Sequence, residues 1–303
     1  MSEQKTVLAF GFFDGVHIGH AALLECAKRR AAEIAACPAV LTFDNHPDTF
    51  VRGEAVCLLN SAEDRNYILR RFFGIHRVFY IHFNADTMRM DWREFLNHTV
   101  AAYGAAHFVV GEDFRFGDGG KGTAALLRDW CAAHGLGCDV IPEVVFDGST
   151  LSSTRIRALV ERGEIEAANA LLGHPHLLTD TVRSGFRLGR EMDYPTVNMR
   201  FEEGVLVPRH GVYAARVYLP DGPRSAVTNI GVRPTFHGDR VSVESHIFDF
   251  SADLYGERLC VELHAFLRPE QPFDSPEDLR EQIGRDAARA KEFWLLLQLN
   301  NRN

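Results

Sequence analysis

Residues 7–20 read VLAFGFFDGVHIGH. Val7 to Gly11 is a short apolar run that reads as a strand, and it passes directly into a loop where Gly15 and Gly19 allow tight backbone. His17 and His20 then fall at the mouth of a helix expected over Gly19 to Ala35. A helix start presents unpaired backbone N–H groups and the positive end of its dipole, so this strand–loop–helix favours an anionic ligand.

The same rhythm continues outward. Ala39 to Phe43, Val78 to Phe83, Phe108 to Gly111 and Val140 to Phe146 read as strands, alternating with helices at Ser61 to Phe73, Trp92 to Tyr103 and Ala124 to His134. That alternation predicts a Rossmann-like parallel sheet with crossover helices, whose ligands bind beyond the carboxyl ends of the strands. After Phe146, the stretch SSTRIRALVERGEIEAANALLG predicts two short helices split at Gly163 and closed by Gly173. The break at His174-Pro175-His176 places a domain boundary, giving domains 1–174 and 177–303. From Leu177 to Leu267 the segments VYAARVYL, SAVTNIGV, VSVESHIFDF and LCVELHAFL alternate apolar and polar residues between Gly and Pro turns. Alternation of this kind predicts an antiparallel barrel or sandwich. Ser275-Pro276-Glu277 opens a closing helix towards Leu299, whose apolar end WLLLQL is expected to pack onto the body. The fold class is therefore α/β with an added small antiparallel β-barrel.

Bulk composition narrows the partners. A chain of 303 residues accommodates two domains, and 46% hydrophobic with 24% charged residues is ordinary for globular protein. The formal net charge of −8 argues against nucleic acid as partner, because phosphate backbones are held by clustered Lys and Arg. Small-molecule partners remain. The six cysteines are scattered without a C-x-x-C pair, which suits reduced thiols in a cytoplasmic protein. No apolar run approaches the roughly 20 residues that span a bilayer, so no membrane partner is expected. Oligomeric state is left open.

Two constellations carry chemistry. In the first half, the two imidazoles can hydrogen-bond phosphate oxygens where charge builds up on phosphorus. Ser152-Ser153-Thr154-Arg155-Ile156-Arg157, at the start of a later helix, offers hydroxyls and guanidinium groups as a second phosphate cradle. Phe43-Asp44-Asn45-His46-Pro47 and Gly111 to Gly122 (GEDFRFGDGGKG) sit where the other strand-end loops should be, the latter with Phe114 and Phe116 suited to a planar ring. Taken alone, H-x-x-H also fits a surface loop, SSTRIR a capping box, and the glycine stretch a hairpin.

In the second half, Gly185-Phe186-Arg187-Leu188-Gly189-Arg190 leads into Tyr194-Pro195-Thr196-Val197-Asn198. In an extended segment Thr196 and Asn198 face one side, and their oxygens suit Mg²⁺ shared with phosphate. Glu244 in VSVESHIFDF shares a face with Ser242 and is a candidate base; alternation alone equally allows a solvated glutamate.

These segments, in this order, resemble the bifunctional bacterial riboflavin kinase/FMN adenylyltransferases, also called FAD synthetases. FFDGVHIGH, the F-x-x-H-P segment, VGEDFRFG and SSTRIR look like the family's nucleotidyltransferase signatures. PTVN, NIGVRPTF and VESHIFDFSADLYGERLCVELHAFLRPE look like its kinase module. The resemblance implies that His17, His20, Ser153 and Arg155 handle ATP phosphates, beside Gly11, Phe13, Asp14, Gly15, Ser152 and Thr154. It implies that His46, Asp113, Phe114, Arg115 and Phe116 lie near the FMN flavin. In the kinase half it implies Mg-ATP on Thr196 and Asn198, a nucleotide loop with Gly185, Gly189 and Arg190, Glu244 as base on the ribityl 5′-hydroxyl, and Arg233 and Arg268 near riboflavin. The expected reactions are riboflavin plus ATP to FMN, then FMN plus ATP to FAD and pyrophosphate, both with Mg²⁺. Four positions depart from the family pattern: Phe12 stands where Asn is usual, Asn45 where Pro is usual, Asp48 where Arg is common and Asp193 where Gly is usual. The first three leave two alternatives, a monofunctional riboflavin kinase with a weakened adenylyltransferase-like domain and a non-catalytic flavin-nucleotide sensor.

Overall fold

The structure is a computed structural model that describes residues 4–45, 56–146, 148–183, 194–233 and 240–300. By contacts the chain divides into two compact units, residues 1–58 with 65–153, and residues 59–64 with 154–303.

The first unit contains β1 (Thr6–Phe10), β2 (Cys37–Phe43), β3 (Arg77–Ile81), β4 (Ala105–Gly111), β5 (Arg115–Phe116), β6 (Gly122–Thr123), β7 (Gly137–Ile141), β8 (Val145–Phe146) and β9 (Ser149–Thr150). Five of these form a sheet in the order β3-β2-β1-β4-β7, and every pairing in it is parallel. All five residues of β1 are buried because it is the central strand, whereas the edge strands β3 and β7 are only half-buried. The chain leaves β1 towards β2 and β3 on one side, then returns to place β4 on the other. The topological switch point therefore lies between the carboxyl ends of β1 and β4, where ligands of such sheets bind. Leu8, Phe10, Phe95, Phe108 and Leu127 pack in the core.

Helix boundaries follow local chemistry. The helix Ala62–Phe73 opens on a Ser61/Asp64 capping box, with Asp64 N–H donating to Ser61 Oγ at 3.0 Å. Asp91 and Thr123 cap Trp92–Tyr103 and Ala124–Ala133. One strand expectation is corrected: Val140 to Phe146 is not continuous. β7 stops at Ile141 and β8 begins at Val145, because Pro142 has no N–H to continue a ladder.

The second unit begins with helices Ser153–Arg162 and Ile165–Leu172, separated at Gly163 and closed by Gly173, both with φ of +77°. It continues with β10 (His176–Thr181), β11 (Val197–Met199), β12 (Gly211–Leu219), β13 (Gly222–Arg233), β14 (Arg240–Ile247) and β15 (Arg258–Pro269). These form an antiparallel sheet in the order β10-β15-β12-β13-β14-β11. Arg183, just beyond β10, bridges Asn198 in β11, its N–H donating to the Asn198 carbonyl at 2.9 Å, so the two edges meet and the sheet curls into a barrel. The closing helix Pro276–Asn300 packs Ala287, Ala290 and Trp294 against Val212, Ala214, Val227 and Ala265. Within WLLLQL Trp294 is buried and Leu297 packs beside it, while Leu295, Leu296 and Leu299 are exposed, the one-faced packing of an amphipathic helix.

Candidate active sites

In the first unit the loop from Gly11 to His17 follows β1 at the switch point. Phe13, Gly15 and Val16 all have positive φ, at +53°, +76° and +43°. For a β-branched residue such as Val16 this is costly, and such strain clusters at ligand-binding loops. Surrounding contacts hold it: Phe13, Asp14, Val16 and His17 are buried, and Ser153 Oγ donates to the Asp14 carbonyl at 2.9 Å. Gly19 is needed sterically, since a Cβ there would stand 3.0 Å from His17 Nδ1 and 3.2 Å from Leu151 Cδ2. The absent side chain lets the His17 ring lie on the first helical turn, stacked on His20 with centroids 3.7 Å apart and planes 13° off parallel. Burial, then the neighbouring His17 and Arg65, push the His20 pKa well below its usual value. His20 is thus a neutral imidazole, and its buried Nδ1 has no hydrogen-bond partner among the described residues.

Arg65, which sequence reading passed over, is fully buried beneath this loop. Its Nη1 donates to the carbonyls of Phe12 (3.2 Å) and Phe43 (2.8 Å) and to Thr42 Oγ1 (3.2 Å), tying the chain after β1 to the end of β2. The Phe12 ring lies 5.0 Å from its guanidinium carbon. Periodicity offers no signal here, because an arginine in a helical pattern is ordinarily assigned to solvent.

Asn45, the second departure, has a structural use. Its amide donates to the Phe83 carbonyl at 2.8 Å and accepts from the Phe83 N–H at 2.9 Å. The side chain thus mimics a strand and pins the ends of β2 and β3. After β4, Asp113 and Arg115 are exposed, while Phe114 packs on Phe10 and stacks on Phe116, with centroids 4.6 and 5.4 Å apart. Phe116 is a core residue against Phe95 and Trp92. Of the aromatic pair expected near a flavin, only Phe114 keeps a partly open face.

In the second cradle, Ser152, Ser153 and Arg155 are half-buried and Thr154 exposed; Thr154 and Arg155 belong by contacts to the second unit. His46, Asp48, Gly185, Gly189, Arg190, Asp193 and the side chain of Arg233 lie outside the described residues.

The second unit holds a cavity of about 300 Å³. Its polar lining includes Thr196, Asn229, Ser242, Glu244, Arg268, Glu270 and Asp286, and its apolar lining Val212, Val227, Phe273, Leu279 and Ile283. Strand register aligns the polar side chains around Glu244. Asn198 of β11 and Asn229 of β13 both stand directly opposite Glu244 of β14, so the three share one face. Ser242 Oγ donates to Glu244 Oε1 at 3.2 Å. His246, two residues on, contacts the Pro195 carbonyl through Nδ1 at 3.0 Å and meets the Tyr194 ring edge-on. Burial lowers its pKa, so the neutral ring donates from Nδ1 and holds the segment carrying Thr196.

Arg268 lines the cavity, yet its guanidinium is engaged: Nε lies 2.9 and 3.0 Å from the Asp286 oxygens, Nη2 2.7 Å from Oδ2, and Nη1 donates to the Pro269 carbonyl at 2.8 Å. It fastens β15 to the closing helix. A Cβ at Gly231 would lie 1.7 Å from Glu270 Oε1, so a larger residue there displaces the Glu270 carboxylate. Sequence reading missed Asn229, His246, Glu270 and Asp286; the alternation Val227-Thr228-Asn229 could have paired Asn229 with the Glu244 face.

Fold and cavity define a two-module chain, a Rossmann-like nucleotidyltransferase-type unit followed by a small antiparallel barrel with an open cavity. A family model described as FAD synthetase matches residues 1–155, and one described as riboflavin kinase matches residues 172–294. The bifunctional riboflavin kinase/FMN adenylyltransferase of Bacillus subtilis (strain 168) is 32% identical over 298 residues, covering 96% of this chain and 93% of that protein. Its counterpart in Escherichia coli (strain K12) is 33% identical over 297 residues, covering 96% and 94%. A crystal structure described as a macrolide-efflux protein from Streptococcus pneumoniae superposes with a TM-score of 0.82 at 28% identity, covering 96% of this chain and 95% of that one. No helix among the described residues is long and apolar enough to cross a membrane. The chain belongs to the bifunctional riboflavin kinase/FMN adenylyltransferase family.

Proposed function

We propose that the chain makes FAD from riboflavin in two ATP-dependent steps, with residues 177–303 forming FMN and ADP and residues 1–174 forming FAD and pyrophosphate. The observation that carries the first step is that Thr196 and Glu244 line one cavity, with Asn198 directly opposite Glu244 on the neighbouring strand. The lining mixes polar and apolar side chains, and riboflavin combines a ribityl chain with a planar ring. Glu244 takes the proton of the ribityl 5′-hydroxyl as that oxygen attacks the γ-phosphorus of ATP and ADP leaves. Thr196 and Asn198 offer neutral hard oxygens for Mg²⁺, which would neutralise phosphate charge there. Arg268, held by Asp286, shapes the flavin wall.

In the second step an FMN phosphate oxygen attacks the α-phosphorus of ATP and pyrophosphate leaves. His17 and the neutral His20 donate hydrogen bonds to the phosphate oxygens as the transition state forms. The strained Gly11–His17 loop at the switch point, with its stacked imidazoles, supports this assignment over a kinase-only reading. So does Asn45, whose departure is accounted for by its pairing with Phe83. An ATP-consuming enzyme whose cysteines are all free fits the cytoplasm.

The test is incubation of the purified chain with riboflavin, ATP and Mg²⁺, followed by chromatographic separation of flavins. FMN should appear first and FAD after it. FMN without FAD would overturn the second step, and neither product would overturn both.

A further inference from the structure

We propose that Asn229 is a substrate-positioning residue of the kinase cavity that hydrogen-bonds the ribityl 4′-hydroxyl, the neighbour of the reacting group. The inference rests on the kinase reading of the cavity. Across three adjacent strands the order is Asn198, Glu244, Asn229, each directly opposite the next. Strands lie about 4.8 Å apart, so Asn229 stands one strand spacing from the base, on the side away from Asn198 and Thr196. On the kinase reading Thr196 and Asn198 would hold the metal of ATP, which leaves the Asn229 side of Glu244 for the ribityl chain.

On β13, Val227, Asn229 and Gly231 all line the cavity, and Val227 packs with Val212 in an apolar cluster against the closing helix. The half-buried amide of Asn229, between Glu244 and that apolar patch, binds the polar chain next to the ring. Asn229 is also available: it faces the cavity and makes no side-chain hydrogen bond among the described residues, while the neighbouring Thr228 is buried and spent on Ser245 Oγ at 2.8 Å. The amide provides a donor and an acceptor, and a secondary hydroxyl requires both.

The test uses the full chain with Asn229→Leu. In Asn229→Leu the KM for riboflavin should rise about ten- to a hundredfold, the range for a lost hydrogen bond to a buried partner, with the KM for ATP unchanged. The unchanged KM for ATP reports that the barrel is folded, and FAD formation from supplied FMN should be retained. A riboflavin analogue lacking the 4′-hydroxyl should be penalised by the unsubstituted chain and not further by Asn229→Leu. An unaltered riboflavin KM in Asn229→Leu, or an equal analogue penalty in both proteins, overturns the role of Asn229. Absence of FMN from the unsubstituted chain overturns the kinase reading instead.

Discussion

Replacing Arg268 with Met tests how the closing helix is held to the barrel. Asp286 is buried, with a side chain 3% exposed, and Arg268, 14% exposed, meets it through Nε and Nη2. Removing the arginine leaves a desolvated carboxylate whose remaining described donor is Gln282 Nε2 at 2.9 Å. Breaking one side of a buried pair costs about 3–5 kcal/mol, and the retained Gln282 bond sets the expectation at the lower end, ~3 kcal/mol. For a unit of this size that lowers Tm by roughly 6–12 °C, at about 2–4 °C per kcal/mol. Adding Asp286→Leu removes the stranded charge and supplies apolar volume next to Leu279 and Ile283, so the double variant should recover to within about 1 kcal/mol of the original. Urea unfolding of the four proteins, fitted with a common m-value, gives the coupling. Additive single costs, with coupling below about 0.5 kcal/mol, would refute the view that this pair is a mutually dependent clamp.

Glu244→Gln should lower riboflavin phosphorylation by about 10²–10⁴-fold, the usual contribution of a general base, while FAD formation from supplied FMN persists. His20→Ala should do the reverse; loss of both activities in folded protein would merge two sites described here as separate. Gly19→Ala places a Cβ 3.0 Å from His17 Nδ1, so the ring must give by a few tenths of an ångström, and FAD synthesis should fall with kinase activity unchanged. His176 is fully buried in β10, and burial holds its pKa at about 4. The unfolded chain binds that proton near pH 6.5, so the stability is complete above pH 6.5 and is lost as pH falls through 4, amounting to about 3 kcal/mol. Asp64, raised by burial to about 6, has the opposite slope, so the measurement is the difference in unfolding free energy between the original and His176→Leu from pH 7 to 4. That difference should move by about 3 kcal/mol in favour of Leu at low pH, and a pH-independent difference would refute it.

Much of this was readable from residue order. The run Val7 to Gly11 followed by Gly15, His17, Gly19 and His20 predicts strand, loop and helix because each signal acts within a few residues of itself. Gly163 and Gly173 close their helices as expected, and so does the Ser61 cap. The join between β7 and β8 was misread because apolar character on both sides outweighed Pro142 in the pattern. The aromatic pair after β4 was read as a flavin wall, yet Phe116 belongs to the core, since composition does not tell which ring turns inward. Arg268 was read as a flavin contact, and the partner that occupies its guanidinium lies 18 residues away on a helix.

By itself the sequence determined the fold class, the two-module order, the imidazole pair at a helix mouth and the carboxylate on a barrel strand, all of which rest on local periodicity and glycine placement. Tertiary structure decided what those residues meet. It put the switch point between β1 and β4, buried Arg65 beneath Phe12, turned Asn45 into a brace for Phe83, and aligned Asn198, Glu244 and Asn229 across three strands. Each of these depends on pairing between segments far apart in the chain, where a shift of one residue in register would turn every side chain to the opposite face.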